Sequence, residues 1–476
     1  MPVLDHSIPY FRFFEEISAI PHGSHNEAAI ADYLVEFAKA RKLRHYRDDL
    51  NNVVIYKPAS PGREKEAPVM LQGHIDMVCE KEVSSRHDFL TDPIPLKLEG
   101  DWLSAEGTTL GADDGAGVSW MLAVLDASDL SHPPLECVFT AAEEVGMDGA
   151  RGLKKDAISA KRMIGLDGGG ETGTCVSSSG GRTLLAKCPI SYAECMYPCF
   201  LLTVGGLQGG HSGLFIDKEH GNAIKLGFRI LYRLLERGTD IRVVQIEGGM
   251  KDNAIPRDFA VVFASTTPAG MLDRMVQGLL EEFKDELGDN EPGLEIGVQE
   301  VERVNSAMTP EDSGALISMG YLLPNGLRAR SWKLGIPVIS LNLGVLRLES
   351  GVALFSFCVR SPMKSAREEL TREIEAISSI FGGYVEVESD FPGWNYSSNS
   401  PLREALRSVL KEQGKELQEM AIHGGLETGV FKGRYPQMDI ITYGPIASGA
   451  HTPEEKLDLS SFQRGYGILT RLLEII

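Results

Sequence analysis

Four short apolar segments constrain the fold of this chain most, because each is followed by a turn with acidic or imidazole side chains. The segments are Pro68–Gly73 before His74 and Asp76, Leu135–Ala141 before Glu143 and Glu144, Met163–Leu166 before Asp167, and Met438–Tyr443 before His451. Helical patterns such as Asn26–Lys42 and Gly115–Ala127 alternate with them. The alternation favours an α/β fold with a mostly parallel sheet flanked by helices. Since ligands bind outside the carboxyl ends of parallel strands, we expect these side chains to share one crevice.

A chain of 476 residues exceeds what one hydrophobic core usually holds, so we expect more than one domain. The middle of the chain has a different order of elements from its two ends. Its predicted strands are Phe200–Val204, Asp258–Ser265 and Gly351–Val359, and its predicted helices are Glu219–Arg237, Pro268–Leu287 and Ser365–Ile380. This order predicts an α+β domain over residues 182–391, inserted between residues 1–181 and 392–476 of the α/β domain. No internal sequence repeat is visible.

Composition and charge exclude several classes of protein. The net charge of −20 argues against nucleic-acid binding, which needs clustered Lys and Arg. No apolar run approaches the about 18–20 residues of a membrane span, and the first residues do not resemble a signal peptide. Seven scattered cysteines favour a reducing compartment, so we expect a cytoplasmic protein. A structural metal site at Cys175, Cys188, Cys195 and Cys199 stays open, although their spacing matches no standard zinc pattern.

The polar turns indicate a metal site only when they are taken together. A further segment, Leu110–Gly117, places Asp113 and Asp114 at the start of the predicted Gly115–Ala127 helix, where either could simply cap it. Each other turn residue, taken singly, has an equally ordinary explanation. Imidazole and carboxylate groups gathered at one sheet edge, however, are the ligands that zinc, manganese or cobalt prefer.

Two spacings suggest how such a site would work. Asp76 follows His74 by two residues, where it can accept the second ring N–H of a metal-binding histidine. Adjacent glutamates can divide their roles, so that one of Glu143 and Glu144 binds metal and the other acts as a base. That division suits hydrolysis of a carbonyl substrate by activated water.

Several motifs together resemble one enzyme family over nearly the whole chain. They are Phe14–Pro21, Gly73-His-Ile-Asp-Met-Val, Leu110-Gly-Ala-Asp-Asp-Gly, Ala141-Ala-Glu-Glu-Val-Gly-Met, Gly206-Leu-Gln-Gly-Gly-His-Ser-Gly, Ser340-Leu-Asn-Leu-Gly and Gly449-Ala-His-Thr-Pro-Glu-Glu-Lys. The chain resembles the co-catalytic zinc peptidases, which include aminoacylases, carboxypeptidases and dipeptidases. Within that group it is most similar to the aminoacyl-histidine dipeptidase branch, also called peptidase D or cytosolic non-specific dipeptidases.

The resemblance implies a role for each motif residue. His74 and Asp167 would bind one divalent metal ion, Glu144 and His451 the other, and Asp113 would bridge both; the ions would be Zn²⁺, with Mn²⁺ or Co²⁺ as alternatives. Asp76 would orient His74, Glu143 would be the general base, and His211 would stabilise the oxyanion, often across a dimer. The residues implied to contact substrate are Asn253, Arg360, His423, Gly425 and Glu427. The inserted domain would serve as a lid and dimerisation domain, which leads us to expect a homodimer.

We therefore expect metal-dependent hydrolysis of dipeptides, either Xaa-His or of broad sequence. Deacylation of N-acyl amino acids, removal of the first residue of tripeptides, and a catalytically silent binding protein remain alternatives. Two departures from the branch stand out. Asp167 precedes Gly168-Gly-Gly where the branch carries polar residues, and Asp114, which adds negative charge, stands where it often has Asn.

Overall fold

The computed structural model describes residues 2–476. Its internal contacts divide the chain into two units. Unit 1 comprises the chain up to Ser178, Trp394–Ala421 and Leu426–Ile476, and unit 2 comprises Ser179–Gly393 and Ile422–Gly425. The sequence predicted boundaries after residues 181 and 391, whereas the contacts place them after Ser178 and Gly393. The short excursion of Ile422–Gly425 into unit 2 has no counterpart in that prediction.

The first part of unit 1 contains four helices and eight strands. The helices are α1 Pro9–Ser18, α2 Ala28–Ala40, α3 Ala112–Asp126 and α4 Asp148–Gly152. The strands are β1 Arg44–Arg47, β2 Val53–Lys57, β3 Val69–His74, β4 Leu96–Glu99, β5 Trp102–Ala105, β6 Leu135–Thr140, β7 Arg162–Gly165 and β8 Gly173–Ser178.

Unit 2 contains thirteen strands and five helices. The strands are β9 Gly180–Pro189, β10 Tyr192–Glu194, β11 Cys199–Gly205, β12 Gly210–His211, β13 Arg242–Gly248, β14 Ala254–Ile255, β15 Phe259–Ala264, β16 Glu295–Val301, β17 Ser306–Met308, β18 Gly326–Arg330, β19 Pro337–Glu349, β20 Val352–Ser361 and β21 Tyr384–Phe391. The helices are α5 Ser212–Phe215, α6 Ala223–Glu236, α7 Ala269–Leu287, α8 Pro310–Leu322 and α9 Lys364–Ile380.

The last part of the chain returns to unit 1 with three helices and four strands. These are α10 Pro401–Glu412, α11 Glu427–Arg434, α12 Leu459–Ile475, β22 Gln418–Ile422, β23 Asp439–Thr442, β24 Ala447–Ser448 and β25 Lys456–Asp458. Among residues 2–476, no helix has both the length and the apolar character that crossing a bilayer requires.

A six-stranded sheet in the order β1-β2-β6-β3-β7-β23 forms the centre of unit 1. Strands β6, β3, β7 and β23 run parallel, whereas β1 and β2 are antiparallel additions at one edge. Every residue of β3 and β6 is buried, as expected for strands covered on both faces. The predicted α/β fold with a mostly parallel, helix-flanked sheet is therefore confirmed.

Unit 2 is built around a nine-stranded antiparallel sheet that contains the same topology twice. Strands β11, β13, β15 and β16, with helices α6 and α7, form a βαββαβ unit in the order β16-β11-β15-β13. Strands β9, β19, β20 and β21, with α8 and α9, form a second unit in the mirrored order β19-β20-β9-β21. The copies join through β13 and β19, and the first is inserted between β9 and α8 of the second.

Equivalent helices of the two copies also meet at this junction. The Tyr232 ring of α6 stacks on the Tyr321 ring of α8, with centroids 4.2 Å apart. The Lys225 ammonium donates to the carbonyls of Gly320, Tyr321 and Leu323 at the end of α8. The two copies therefore form one continuous domain rather than two separate modules.

Unit 1 also contains a small four-stranded sheet in the order β24-β25-β5-β4. Its β24–β25 hairpin carries His451 at the tip, and β25 pairs with β5 from Lys456↔Ser104 to Asp458↔Trp102. This pairing fixes a C-terminal hairpin to the segment that leads into α3.

Candidate active site

Asp113 lies between two histidines in unit 1. Its Oδ1 is 2.9 Å from Nε2 of His74, and its Oδ2 is 3.3 Å from Nε2 of His451. His74 ends the buried strand β3, whereas His451 is half-exposed at the tip of its hairpin with a positive φ of 64°. One carboxylate therefore faces two imidazole nitrogens from opposite ends of the sequence.

The second ring nitrogen of His74 is held by Asp76. Nδ1 donates to the backbone carbonyl of Asp76 at 2.9 Å, and the carboxylate of Asp76 is 3.5 Å away. This bond assigns the proton to Nδ1 and leaves Nε2 as the nitrogen that faces Asp113. The sequence predicted this partner, but the nearest acceptor is the carbonyl oxygen rather than the carboxylate.

The Asp76 carboxylate mainly holds the turn that carries the two glutamates. Its Oδ1 accepts from the backbone N–H of Glu143 at 3.0 Å, and its Oδ2 accepts from that of Glu144 at 3.3 Å. The Ser24 hydroxyl also donates to Oδ2 at 2.8 Å. Asp76 thus couples the placement of His74 to that of the Glu143–Glu144 turn.

Glu144 points to the same place as the histidines. Its Oε1 lies 3.0 Å from Nε2 of His451, yet no donor hydrogen-bonds to this buried oxygen within the described chain. Ligand atoms of His74, Asp113 and Glu144 all lie within 4.8 Å of one another. Buried donor atoms at this spacing, one without a hydrogen bond, are what a bound cation requires.

Asp167 and Asp114 lie next to this group. Together with Asp113 they line a cavity of about 190 Å³. Asp114 is buried, its Oδ1 accepts from Gly117 N–H at 3.1 Å, and no donor within the described residues reaches its Oδ2. A Cβ on Gly73 would lie 2.3 Å from that Oδ2, which explains the glycine before His74.

Burial and mutual repulsion raise the pKa of several carboxyl groups in the cluster. The pKa of Glu143 rises to about 9 through burial and neighbouring carboxylates that include Glu427. Burial and Asp113 raise the pKa of Asp167 to about 7, and burial and Asp167 raise that of Asp114 well above its ordinary value. The Asp114 side chain therefore favours its neutral form here, contrary to the expectation that it adds negative charge.

The pKa values of Asp113 and His451 shift in favour of their charged forms. Burial opposes ionisation of Asp113, but bonds from His451 and His74 hold its pKa below the ordinary value. The carboxylates of Asp113 and Glu144, which lie close to Nε2, raise the pKa of His451 to about 10. The cluster holds more carboxyl groups than imidazoles, and bound divalent cations would favour the ionised form of those carboxyl groups.

Three residues predicted to touch the reaction or substrate, Arg360, His211 and Asn253, lie together in unit 2. Arg360 is only 6% exposed. Its Nη2 lies 3.4 Å from Nε2 of His211, and its Nε lies 3.4 Å from the Ser212 hydroxyl. Asn253 accepts from Ser212 N–H through its backbone carbonyl at 2.8 Å. Within residues 2–476, the Arg360 guanidinium forms no ion pair with a carboxylate, so it is a buried cation with only weak neutral contacts.

His423 is also buried in unit 2. Its two ring nitrogens contact the hydroxyls of Ser179 at 2.9 Å and Ser340 at 2.6 Å. Burial and the nearby Arg360 lower the pKa of His423 to about 4, and they also lower that of His211. Both imidazoles are therefore neutral at pH 7. Gly425 belongs to the same short excursion of the chain.

Glu427 lies apart from these residues, inside unit 1. It is 3% exposed, and its Oε2 accepts from Gln72 at 2.7 Å and Thr140 at 2.6 Å. These partners lie on β3 and β6, so the described contacts are those of a buried support for the catalytic strands. Its substrate-binding role stays a prediction, as do the roles of the other site residues.

Three supporting residues escaped the sequence analysis. Ser24 bonds Asp76, Glu27 accepts from the N–H of Ala142 at 3.2 Å, and Glu455 accepts from the backbone before α3. Ser24 and Glu27 have no sequence signal beyond a polar loop. Glu455 stands in the quoted His451 motif, and its position four residues after a ligand was the signal available.

The four clustered cysteines of the sequence do not form a metal site. Cys175 packs in an apolar cluster of unit 1, and Cys188 packs in the main core of unit 2. Cys195 and Cys199 lie with Ala264 and Ala307 in a separate small cluster. These thiols are close to one another in sequence, but the fold places them in three different apolar clusters.

A model of the peptidase family M20/M25/M40 matches residues 70–475. The chain belongs to this family. The matched span contains all the residues gathered around Asp113, from His74 to His451. The resemblance stated from the motifs is thereby confirmed.

Individual relatives match this peptidase over nearly its whole length. It is 34% identical to the cytosol non-specific dipeptidase of Escherichia coli strain K12 over 473 residues, covering 98% of this chain and 97% of that protein. The crystal structure of aminoacylhistidine dipeptidase from Vibrio alginolyticus matches with a TM-score of 0.91 and 34% identity, covering 98% and 96% of the two chains. The aminopeptidase PepT of Bacillus cereus, at 16% identity and a TM-score of 0.56 with 98% and 97% coverage, shares the fold.

Proposed function

We propose that this M20 family peptidase hydrolyses dipeptides with the help of two divalent metal ions bound around Asp113. The observation that carries the proposal is the Asp113 carboxylate, which faces one histidine with each oxygen next to the Glu143–Glu144 turn. The two full-length relatives at 34% identity are both named as dipeptidases, which supports the substrate class.

The described residues fit a dinuclear site. His74 and Asp167 would hold one ion, Glu144 and His451 the other, and Asp113 would contribute an oxygen to each. The unbonded Glu144 Oε1 and the crowding of buried carboxyl groups, which raises the pKa of Glu143, support this assignment. When bound, the divalent ions would lower the pKa of a water molecule and polarise the carbonyl of the scissile bond. Imidazole and carboxylate ligands suit Zn²⁺, with Mn²⁺ or Co²⁺ as alternatives.

Glu143 is the proton carrier in this proposal. It takes a proton from the attacking water as the C–O bond forms, and it delivers that proton to the amine nitrogen as the C–N bond breaks. Asp76 supports this transfer because it bonds the Glu143 backbone N–H and the His74 side of the site at once. The same residue therefore places the turn through its carboxylate and the imidazole through its backbone carbonyl.

Arg360 and His211 would act on the substrate itself. A buried guanidinium without an acidic partner suits a peptide carboxylate, which its planar fork can bind with two hydrogen bonds. Arg360 Nη2 donates toward His211 Nε2, which leaves the neutral ring's N–H at Nδ1. That N–H could donate to an oxyanion. His423, with both nitrogens already bonded to serines, would position the neighbouring loop.

Hydrolysis of dipeptides by chelator-treated protein tests the proposal, with and without added Zn²⁺, Mn²⁺ or Co²⁺. We expect metal-dependent release of free amino acids that Glu143→Gln loses by about 10²- to 10⁴-fold while metal stays bound. The exposed Asp148→Asn on the same loop is the matched control. Dipeptides with a blocked carboxyl end test Arg360, since they should lose affinity in the unsubstituted protein but not in Arg360→Met.

The compartment is proposed from a named relative, and the assembly from the family resemblance. We place the reaction in the cytoplasm because the similar Escherichia coli protein is named a cytosol dipeptidase. A homodimer stays a prediction from the resemblance, and sedimentation of the purified protein would test it. Acetylated amino acids and tripeptides, assayed alongside dipeptides, would reveal either alternative activity.

A further inference from the structure

Glu455 places a single buried carboxylate on four consecutive backbone N–H groups. Its Oε2 accepts from Leu110 at 2.8 Å and Gly111 at 3.0 Å. Its Oε1 accepts from Ala112 at 2.8 Å and Asp113 at 3.3 Å. Glu455 is only 2% exposed, so these bonds are shielded from water. The last of the four N–H groups belongs to the residue that faces both histidines.

The other end of Glu455 is tied to the loop that carries His451. Its own N–H donates to the carbonyl of Thr452 at 3.0 Å, and Thr452 in turn donates its N–H to the Gly449 carbonyl at 3.1 Å. The tight loop includes positive φ angles at Gly449, of 70°, and at His451, of 64°. One side chain thus connects the loop of Asp113 with the loop of His451.

The fold does not depend on this connection alone. Strand β25, which begins at the next residue, pairs with β5 through three residue pairs from Lys456↔Ser104 to Asp458↔Trp102. The α12 helix that follows is capped by the Asp458 side chain, which accepts from Ser461 N–H. Removal of the Glu455 carboxylate should therefore leave both loops attached but less precisely placed.

We propose that Glu455 is a positioning residue that sets the distance between Asp113 and His451 and so controls how tightly and in what geometry metal is bound. This inference rests on the proposed dinuclear site. A carboxylate offers about four lone-pair sites for four donors, whereas the amide of Gln would turn an NH₂ group toward backbone N–H groups. Groups that orient metal ligands commonly change metal affinity or activity by about 10- to 100-fold when they are altered.

Three variants test the role. Glu455→Gln removes the charge at constant size, Glu455→Asp keeps the charge but withdraws it by one methylene, and Glu454→Gln removes the same charge from the exposed neighbour. For each folded protein we would measure Co²⁺ affinity, the visible absorption spectrum of bound Co²⁺, kcat and KM on a dipeptide, and hydrogen exchange at Leu110–Asp113. Circular dichroism and thermal melting establish folding beforehand.

We expect Glu455→Gln to weaken Co²⁺ binding by about 10- to 100-fold, to alter the Co²⁺ spectrum, and to lower kcat more than it raises KM. The four amides should exchange faster, Glu455→Asp should fall in between, and Glu454→Gln should match the unsubstituted protein. A folded Glu455→Gln with unchanged affinity, spectrum and exchange would overturn the inference, and if it does not fold, Glu455→Asp decides by the same measurements.

The proposed function can fail separately. If the unsubstituted protein bound no Co²⁺, the dinuclear site would be wrong, while exchange at Leu110–Asp113 would still decide whether Glu455 holds that segment. If these amides exchanged faster in Glu455→Gln than in the unsubstituted protein, Glu455 would be shown to hold the Leu110–Asp113 segment. Equal exchange in the two proteins would reject that role.

Discussion

Replacement of Asp76 by Asn is the sharpest test of how the site is held together. Each carboxylate oxygen of Asp76 serves the Glu143–Glu144 turn, Oδ1 through the Glu143 N–H and Oδ2 through the Glu144 N–H. Asn has one acceptor oxygen, so its NH₂ group must face one of these two donors. Ser24 can rotate its hydroxyl to accept from that NH₂ group, but a backbone N–H cannot adapt.

The cost follows from the bonds that are lost. One charge-assisted hydrogen bond to a buried backbone donor is given up, which costs about 1–3 kcal/mol. Each 1.36 kcal/mol corresponds to about a factor of ten in rate, so we expect kcat to fall about 10- to 100-fold. Because Arg360 and the other proposed substrate contacts except Glu427 lie in unit 2, KM should change much less.

The assay is the initial rate of dipeptide hydrolysis over a range of substrate, with metal content measured on the same samples. Asp148→Asn, on the exposed end of the same turn, removes an equal charge and should leave kcat within about twofold. Ser24→Ala removes the single hydrogen bond that a hydroxyl donates to the Asp76 carboxylate and should lie between the two variants. A fully metallated Asp76→Asn protein with the original kcat would refute the role of the Asp76 carboxylate in holding the glutamate turn.

Three further predictions concern stability. The pKa of His423 is about 4 in the folded state and 6.5 ordinarily, so the unfolded chain takes up a proton that the folded chain does not. The free energy of unfolding should therefore fall by about 3 kcal/mol as the pH drops from 6.5 towards 4. His423→Gln should flatten the slope of unfolding free energy against pH over that range, and an unchanged slope would contradict this prediction. At Gly168 a Cβ would lie 2.6 Å from the Tyr443 nitrogen, whereas at Gly169 it would meet nothing within 4 Å. Gly168→Ala should therefore cost about 1–3 kcal/mol in urea unfolding and Gly169→Ala should be near neutral, and equal losses would show that the close approach is not what matters. Zn²⁺ added to chelator-treated protein at about 100 times its Kd should stabilise it by about 2.7 kcal/mol per site, and a melting temperature that does not rise would argue against binding to the folded state.

The sequence predicted the centre of unit 1 well because several of its signals agree. Segments such as those at β3 and β6 are mostly apolar before their polar turns, a pattern typical of strands that are buried on both faces. The residues after them meet at one edge because the strands are parallel, so His74, Asp113, Glu144 and His451 come together as expected. The same logic could not find Glu455, since its partners are backbone groups that leave no trace in side-chain pattern.

The duplicated topology of unit 2 shows why other features stayed invisible. Sequence comparison along the chain found no repeat, although β9–β20–β19–β21 mirrors β11–β15–β13–β16 in arrangement. The two copies share only the order of their strands, which many different side chains can form. In addition, the first copy is inserted within the second, so the repeat is not contiguous in sequence. Helix α8 was also not predicted, because its buried residues Leu316, Ile317 and Met319 do not form a single apolar stripe.

The interleaved connectivity also fixes the order in which a ribosome can finish this protein. The first copy in unit 2 is contiguous from β11 to β16, whereas β9 must wait for β20 and β21 to be synthesised before it has partners. In unit 1, His74 and Asp113 emerge early, but β23 and His451 come from the last tenth or so of the chain. Because domains fold as their segments become available, the proposed metal ligands come together only when synthesis is nearly complete. A nascent chain therefore carries no finished peptide-cleaving centre while it is still exposed beside other unfolded peptides.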